Sequence, residues 1–179
     1  MFARVTVAAL LLVGLSAPAL AQTENLQMFR AVQRQVLQYP HFTIFDSVHA
    51  QVDNGVVTLT GKVTMPYKRD AIEKRVSRVT GIQQVNNRID VLPVSQFDDD
   101  LRYAIARSIY SHPVFAGFLS TAQPPIHVIV DRGRVTLDGV VNNEVDRALA
   151  RSIASSFNAF EVKSELKTDA EVKQDLEKL

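Results

Sequence analysis

The chain has no cysteine and no tryptophan among its 179 residues. The absence of cysteine excludes disulfides and the lipid-modified cysteine of a lipoprotein, so an exported form has to be stabilised by packing alone. The absence of tryptophan removes the usual aromatic anchor at a membrane interface. After residue 21, no stretch approaches the roughly 20 apolar residues that a membrane-spanning helix needs.

The sequence also lacks the motifs of common catalytic sites. It contains no Gly-x-Ser-x-Gly, no His-Glu-x-x-His and no phosphate-binding loop. We interpret Asp98, Asp99 and Asp100 as caps of the helix that follows, because adjacent carboxylates on a helix do not converge on one cation. We expect no catalytic residue, no cofactor and no metal. The four histidines show no metal-ligand spacing and are predicted to lie at the surface or at a sheet edge: His41, His49, His112 and His127.

The first 21 residues have the pattern of a signal peptide. Arg4 precedes an apolar run over residues 5–15, and Ala19-Leu20-Ala21 is a small-x-small cleavage site. We therefore expect cleavage between Ala21 and Gln22 and a periplasmic or secreted protein. The remaining chain has no net charge, but residues 22–92 carry 9 basic and 6 acidic residues, and residues 93–179 carry 10 and 13. These opposite biases favour mutual docking of the halves or attraction of the first half to an anionic surface, and we expect no nucleic-acid partner.

The most informative feature is a repeat. The segment Val52-Asp53-Asn54-Gly55-Val56-Val57-Thr58-Leu59-Thr60-Gly61-Lys62-Val63 returns 78 residues later as Val130-Asp131-Arg132-Gly133-Arg134-Val135-Thr136-Leu137-Asp138-Gly139-Val140-Val141. Both copies share the Val-Thr-Leu core and both glycines. A repeated unit with no repeated reactive residue indicates a duplicated binding module, and we expect the two copies to pack on one another.

Each copy is predicted to form a helix, a hairpin, a second helix and a last strand. This pattern gives an α+β fold of two αββαβ units, over residues 24–92 and 98–168, followed by a charged tail that frays or forms a loose helical turn from residue 169. Asn25 is expected to cap the first helix, and Val145 to lie on the buried face of the fourth. Gly55 and Gly133 supply the positive φ of the hairpin turns.

Two further glycines lie inside strands. Gly61 and Gly139 recur at the same place in the two copies, although a glycine within a strand costs stability. Their recurrence predicts a close approach, either a helix that packs on the sheet or a bulge.

The signature Asp-x-Gly-x-Val-Thr-Leu-x-Gly-x-Val, flanked by helices and followed by a valine-rich strand, resembles the BON domain (bacterial OsmY and nodulation). The resemblance covers nearly all of residues 24–168, in two copies. It implies a three-stranded mixed sheet with two helices on one face, and an envelope protein without catalysis that interacts with phospholipid membranes or periplasmic proteins.

Two stretches are candidate contacts for such a partner. The basic stretch Lys68, Lys74, Arg75 and Arg78 fits an anionic phospholipid surface, and the alternative is an ordinary solvated helix face. In the second copy the connection before the hairpin is longer by five residues and contains Phe115, Phe118 and Leu119. These residues supply an apolar contact or, alternatively, cover their own small core. The two functional hypotheses are association with anionic phospholipid and a soluble periplasmic protein-interaction or holdase-like module in envelope stress.

Overall fold

The computed structural model describes residues 17–121 and 123–177, with the side chains from residue 24 onward except that of Leu119. Most of the predicted signal peptide lies outside these residues. The first unit contains α1 (Ala17–Leu37), β1 (Ser47–Asp53), β2 (Val56–Val63), α2 (Pro66–Val76) and β3 (Gln84–Val91). The second contains α3 (Gln96–Ser111), a 3-10 helix (Ala116–Ser120), β4 (Ile126–Asp131), β5 (Arg134–Val141), α4 (Glu144–Ser155) and β6 (Glu161–Thr168), and α5 (Asp169–Glu177) follows.

Each unit has one three-stranded mixed sheet with its second strand in the centre. The first sheet has the order β1-β2-β3, with β1 antiparallel and β3 parallel to β2, and the second repeats this as β4-β5-β6. The hairpin can be tight because two consecutive turn residues have positive φ, Asn54 and Gly55 in one unit and Arg132 and Gly133 in the other. A parallel neighbour requires a crossover, which α2 and α4 provide. The predicted fold class is confirmed.

The two helices of each unit cover one face of its sheet. In the first unit, Val32 and Val36 of α1 and Ile72 and Val76 of α2 pack on alternate residues of β2. Leu59 is completely buried there, and its counterpart Leu137 is buried in the second core. The remaining strand residues point away from the helices, to the open face of each sheet, since successive residues of a strand point in opposite directions.

The helix termini differ from the prediction in two places. Asn25 lies inside α1, where its side-chain oxygen accepts a hydrogen bond from the backbone N–H of Asn54 at 3.1 Å. The N-cap of α3 is Ser95, whose hydroxyl accepts from the N–H of Asp98. Asp98 is buried and serves the neighbouring hairpin, so the aspartates do not cap α3. Sequence reasoning placed the helix start too late because it took the acidic run as the boundary.

Two further expectations concern the second unit and the tail, and the first of them is wrong. Val145 is exposed, because it precedes the buried stripe of α4 that includes Ala150 and Ala154. The charged tail forms α5, which Glu171 holds at its start by accepting hydrogen bonds from the backbone of Thr168 and from Arg147. An acidic residue in a first helical turn is favourable, so of the two alternatives for this tail the helical one is observed.

The strand glycines allow a close approach, as their recurrence predicts, but the neighbour is backbone of the adjacent strand or of the residue before it, and neither a helix nor a bulge. Gly61 and Gly139 have φ values of +118° and +120°. A Cβ added at Gly61 would lie 2.2 Å from the carbonyl oxygen of Ser47, and one added at Gly139 would lie 1.9 Å from that of Pro125. Because both obstacles are backbone atoms, no side-chain rearrangement can relieve them.

The two units dock through a loop of the first, residues 43–46. Ile44 and Phe45 pack against the core of the second unit, and the carbonyl oxygen of Ile44 accepts a hydrogen bond from the N–H of Val128 at 2.7 Å. That bond satisfies a donor on the free edge of β4. Ile129 points away from its own core yet is 5% exposed, so the interface buries it as well. The expected packing of the two copies is therefore observed.

Candidate functional site

A buried ion pair fixes the docking loop. The ammonium group of Lys68 donates to Asp46 at 2.7 Å, and the two side chains are 6% and 0% exposed. Asp46 also accepts hydrogen bonds from the backbone N–H groups of Thr43 and Thr64. Burial alone would raise the pKa of Asp46, but the hydrogen bonds from Lys68, Thr64 and Thr43 lower it below its usual value. Lys68 is thus a structural residue, which corrects its assignment as a surface contact.

A second polar cluster lies between the units. His49 Nε2 lies 3.1 Å from Asp138 Oδ2 and 3.1 Å from Ser47 Oγ, and Ser47 also donates to Asp138. Hydrogen bonding to Asp138 raises the pKa of His49, whereas burial lowers the pKa of His127. The Nδ1–H of His127 donates to the carbonyl oxygen of Asp46 at 2.6 Å. The two histidines occupy equivalent positions in the repeats, and both contact the opposite unit.

This cluster does not have the geometry of a nucleophilic triad. In a triad the serine and the aspartate bind different nitrogens of the histidine ring, so that the imidazole can relay a proton. Here Ser47 and Asp138 both approach Nε2 of His49. Within the described residues, no group of three histidine or acidic side chains is placed to hold a metal ion. The arrangement is that of a structural hydrogen-bond network.

The predicted basic flank is only partly available to a partner. Arg75 donates to the carbonyl oxygens of Gln35 and Gln38 and lies over the ring of Tyr39, so it closes the end of α1. Lys74 and Arg78 are exposed, and Arg78 follows the last residue of α2. Of the four cations expected to form one surface, the structure leaves two free for contact.

The apolar insertion of the second unit mostly serves its own core. Phe115 is fully buried, and Phe118 is half-buried and stacks on it with ring centroids 6.2 Å apart. The side chain of Leu119 lies outside the described residues. The assignment of Phe115 as a surface contact is therefore wrong, because its ring fills the space below the 3-10 helix.

A surface that sequence reasoning missed lies around the β4–β5 turn. Phe160 is 81% exposed and stacks on Phe97, which is 49% exposed, with ring centroids 6.5 Å apart. Phe160 lies so close over the turn that a Cβ at Gly133 would come within 2.6 Å of its ring. Arg132 and Arg134 are exposed on the same turn. We call Phe97, Phe160, Arg132 and Arg134 the aromatic tip.

The turn below the aromatic tip is held rigid by one carboxylate. Asp98 is 1% exposed and accepts hydrogen bonds at 2.8 Å from the backbone N–H groups of Arg132 and Gly133. The repeat itself contains a signal for this surface. Gln83 occupies the place of Phe160 beside the equivalent glycine, Gly55, of the first unit. A comparison of the two copies beyond the shared motif would have found an exposed phenylalanine where the other copy has glutamine.

An apolar groove runs along the outer side of α3. It has a volume of about 900 Å³. Phe45 of the docking loop and Tyr103 of α3 form an edge-to-face pair in its lining, with centroids 4.8 Å apart. Phe157 also lines the groove, and Asp100 and Arg107 are its charged members. Because Phe45 belongs to the first unit, the groove requires both repeats in their docked arrangement.

The comparison with protein families matches the BON domain over residues 30–93 and 104–168. The chain belongs to the BON domain family. These two matches cover both αββαβ units, so the resemblance seen in the repeat is confirmed. No curated protein matches the chain. Two BON domains suggest a non-enzymatic protein related to the cell envelope. None of the helices in the described part of the chain combines the length and apolar character that crossing a bilayer requires.

Two solved structures from Chlamydia trachomatis are similar to the chain. The first is the C-terminal domain of CdsD, a structural protein of the type III secretion system, with 16% identity and a TM-score of 0.34 over 83% of this chain and 68% of that chain. The second is also CdsD, with 14% identity and a TM-score of 0.29 over 84% and 97%. Agreement this low carries no argument about function.

Proposed function

We propose that this BON protein is a non-enzymatic component of the cell envelope that associates with anionic phospholipid surfaces through the aromatic tip. The observation that carries the proposal is the pair Phe97 and Phe160, stacked and exposed beside Arg132 and Arg134 on a rigid turn. Exposed aromatic rings with adjacent cations suit the boundary between headgroups and acyl chains.

The aromatic tip supplies both contributions that such binding needs. Burying a phenylalanine side chain contributes about 1.5–3 kcal/mol, and a basic residue near an anionic surface contributes about 1 kcal/mol. Two phenylalanines and two arginines, with a discount for Phe97 because it is already half-covered, give roughly 5–6 kcal/mol, or a dissociation constant of some hundred micromolar. Lys74 and Arg78 add about 2 kcal/mol if they reach the same surface.

Co-sedimentation with vesicles tests the proposal. We expect the wild type to bind vesicles that contain phosphatidylglycerol and to bind poorly to pure phosphatidylcholine. Phe97→Ser with Phe160→Ser should abolish binding at any ionic strength, and Lys74→Glu with Arg78→Glu should weaken it only at low salt. Val145→Ser is the matched control, because Val145 is equally exposed but lies beyond the opposite end of β5. Wild-type protein that ignores anionic vesicles at low salt would disprove the proposal.

A second candidate function is favoured by the α3 groove. Its lining is almost entirely apolar, and Asp100 and Arg107 balance each other in charge. Such a groove suits an apolar segment of a periplasmic protein better than an anionic headgroup. Tyr103→Ser should weaken capture of an unfolded apolar polypeptide at all salt concentrations and leave vesicle binding unchanged. If Tyr103→Ser instead weakened vesicle binding and left polypeptide capture unchanged, the groove would be a membrane contact.

We propose that the protein acts outside the cytoplasm. The sequence pattern of residues 1–21 supports export with cleavage before Gln22. Cleavage there removes the first turn of α1 and leaves Val32 and Val36, which pack on the core. N-terminal sequencing of protein from the periplasm or medium should begin at Gln22, and retention of Met1 on an intracellular protein would contradict this expectation.

A further inference from the structure

A small charged cleft lies on the open face of the second sheet, where the first unit reaches over it. Its volume is about 170 Å³, below the roughly 300–1,000 Å³ of sites for drug-sized ligands. Four cations line it, namely Lys62 from the first unit and Arg132, Arg134 and Lys163 from the second. The size fits one small oxyanion, and the two units have to be docked for the four cations to meet.

The first repeat serves as an internal reference for this cleft. From the registers of the two sheets, the positions of Arg132, Arg134 and Lys163 correspond to Asn54, Val56 and Asn86. None of these three counterparts is charged. Three of the four cations are therefore particular to the second repeat, at positions where the shared fold does not require a charge.

Arg132 is held in an unfavourable backbone conformation. Its φ is +52°, in the left-handed region that costs an ordinary L-residue energy and that asparagine tolerates better. The first repeat has Asn54 there, with φ +47°. Asp98 fixes the backbone of Arg132, and within residues 17–121 and 123–177 its guanidinium forms no ion pair. Strain at an exposed arginine is a reason to look for a ligand of its side chain.

The charges of the cleft are not balanced. Asp131 pairs with Lys62, and Glu161 lies 3.6 Å from Arg134, which leaves an excess of two positive charges along the lining. Glu165, paired with Lys163 at 2.5 Å, offsets one of them. A hydrogen bond from Lys62 holds the pKa of Asp131 below its usual value, so this carboxylate is an acceptor at neutral pH.

One oxygen of Asp131 lacks a donor. Its Oδ1 atom is buried, and no group in the described residues donates a hydrogen bond to it. A buried acceptor without a partner is costly, and a ligand that carries a proton satisfies it when the side chains that cover this oxygen turn toward the ligand. We propose that the cleft binds a phosphate group that carries a proton, as inorganic phosphate does at neutral pH and as a phosphomonoester does below its second pKa of about 6. The four cations bind its charged oxygens, and Asp131 accepts its P–OH hydrogen.

This inference goes beyond association with a membrane surface, because the phosphodiester of a phosphatidylglycerol headgroup carries no proton to donate. It also separates phosphate from sulfate, which has the same shape and is fully deprotonated at neutral pH. The ligand is either soluble or the terminal phosphate of a lipid such as phosphatidic acid.

Titration of the full chain with inorganic phosphate, followed by amide NMR at pH 7 and constant ionic strength, tests the proposal. We expect saturable shifts at residues 131–136 and Lys62, with phosphate binding at least fivefold tighter than sulfate. Arg132→Asn with Arg134→Val and Lys163→Asn copies the first repeat and should weaken binding at least tenfold. Lys74→Asn with Arg78→Asn removes two surface charges elsewhere and should leave phosphate binding unchanged. Asp131→Asn should abolish the preference for phosphate over sulfate.

The outcomes are distinct. Shifts that are linear, equal for both anions or unchanged in the triple variant would overturn the proposal as unspecific screening. Competition of phosphatidic acid vesicles with inorganic phosphate would identify a lipid phosphate, and phosphate binding without such competition would identify a soluble ligand. Phe97→Ser with Phe160→Ser should retain phosphate binding, so the failure of the membrane proposal and the failure of this one can be told apart.

Discussion

The two repeats differ most in the segment between the first helix and the hairpin. In the first repeat the segment is short, and the buried pair of Asp46 and Lys68 braces it so that Ile44 and Phe45 reach the core of the second repeat. In the second repeat the segment is longer and forms a 3-10 helix whose Phe115 and Phe118 pack on their own core. The same connection contacts the other unit in the first repeat and covers the core of its own unit in the second.

The hairpin turns differ in a complementary way. In the first repeat, the side chain of Gln83 lies next to Gly55, and Asn54 donates a hydrogen bond to Asp53. In the second repeat, Arg132 and Gly133 lie beneath the ring of Phe160. Thus the first copy has specialised in holding the pair together and the second in presenting a chemically distinct surface.

The largest expected effect tests the buried ion pair of Asp46 and Lys68, which holds the docking loop. Lys68→Met should lower the free energy of unfolding by about 3–5 kcal/mol, because it leaves the carboxylate of Asp46 buried without its charge partner. Urea denaturation followed by circular dichroism measures this change. Because Asp46 also holds residues 43–46, we expect the loss of amide protection at Val128, whose N–H depends on Ile44.

The equivalent position of the second repeat provides the control. Asp146 corresponds to Lys68, and its side chain accepts one hydrogen bond from Asn142 at 3.0 Å and forms no ion pair with any residue that the structure describes. Asp146→Asn keeps an acceptor oxygen and should cost about 1 kcal/mol or less. Equal losses in the free energy of unfolding for the two substitutions would show that the ion pair of Asp46 and Lys68 does not distinguish the repeats.

The next largest effect concerns the strand glycines, where the repeats are expected to behave alike. Gly139→Ala should destabilise the protein by about 3 kcal/mol, because the methyl group meets the carbonyl oxygen of Pro125 and φ is +120°. Gly61→Ala should cost a similar amount against Ser47.

Thermal and urea unfolding measure both losses. Gly117→Ala is the control, since nothing lies within 4 Å of a Cβ there, and it should change stability by less than about 0.5 kcal/mol. Wild-type stability of Gly139→Ala would refute the close approach.

Much of the fold could be predicted from the sequence because each helix and strand occurs twice, in two different versions of the same repeat. Gly61 and Gly139 were recognisable since an unfavourable residue recurs at one place, and the alternation around Leu59 and Leu137 fixed the strands. The caps were missed because Ser95 and Asp98 compete for the same role, and only the neighbouring hairpin decides which residue caps the helix.

The candidate surfaces were harder to predict because exposure depends on contacts between the repeats. Lys68 and Arg75 have the composition of a basic helix face, but Asp46 and the end of α1 engage them. Phe160 follows a helix and precedes a strand, so periodicity gives it no orientation. Its stacking on Phe97 depends on packing between α3 and the last strand.

The smallest expected effect compares the two equivalent histidines as pH is changed. His49 has a raised pKa in the folded protein because Asp138 accepts its hydrogen bond, and His127 has a lowered pKa because it is buried. The stabilisation from His49 is complete below its unfolded pKa of about 6.5 and is lost as pH rises through the folded value. The contribution of His127 has the opposite sign, since stability is lost as pH falls below about 6.5 and the unfolded state takes up a proton.

His49→Gln and His127→Gln should therefore have opposite pH dependence between pH 8 and pH 5.5. Relative to each variant, the wild type should gain stability on acidification in the first case and lose it in the second. The change for His49 should stay below about 1 kcal/mol, because its side chain is 56% exposed and solvent screens its pair with Asp138. Free energies of unfolding from urea titrations at four or five pH values measure both slopes. If the two differences in unfolding free energy changed with pH in the same direction, the two histidines would share one environment. The asymmetry between the repeats would then not extend to the contact between the two units.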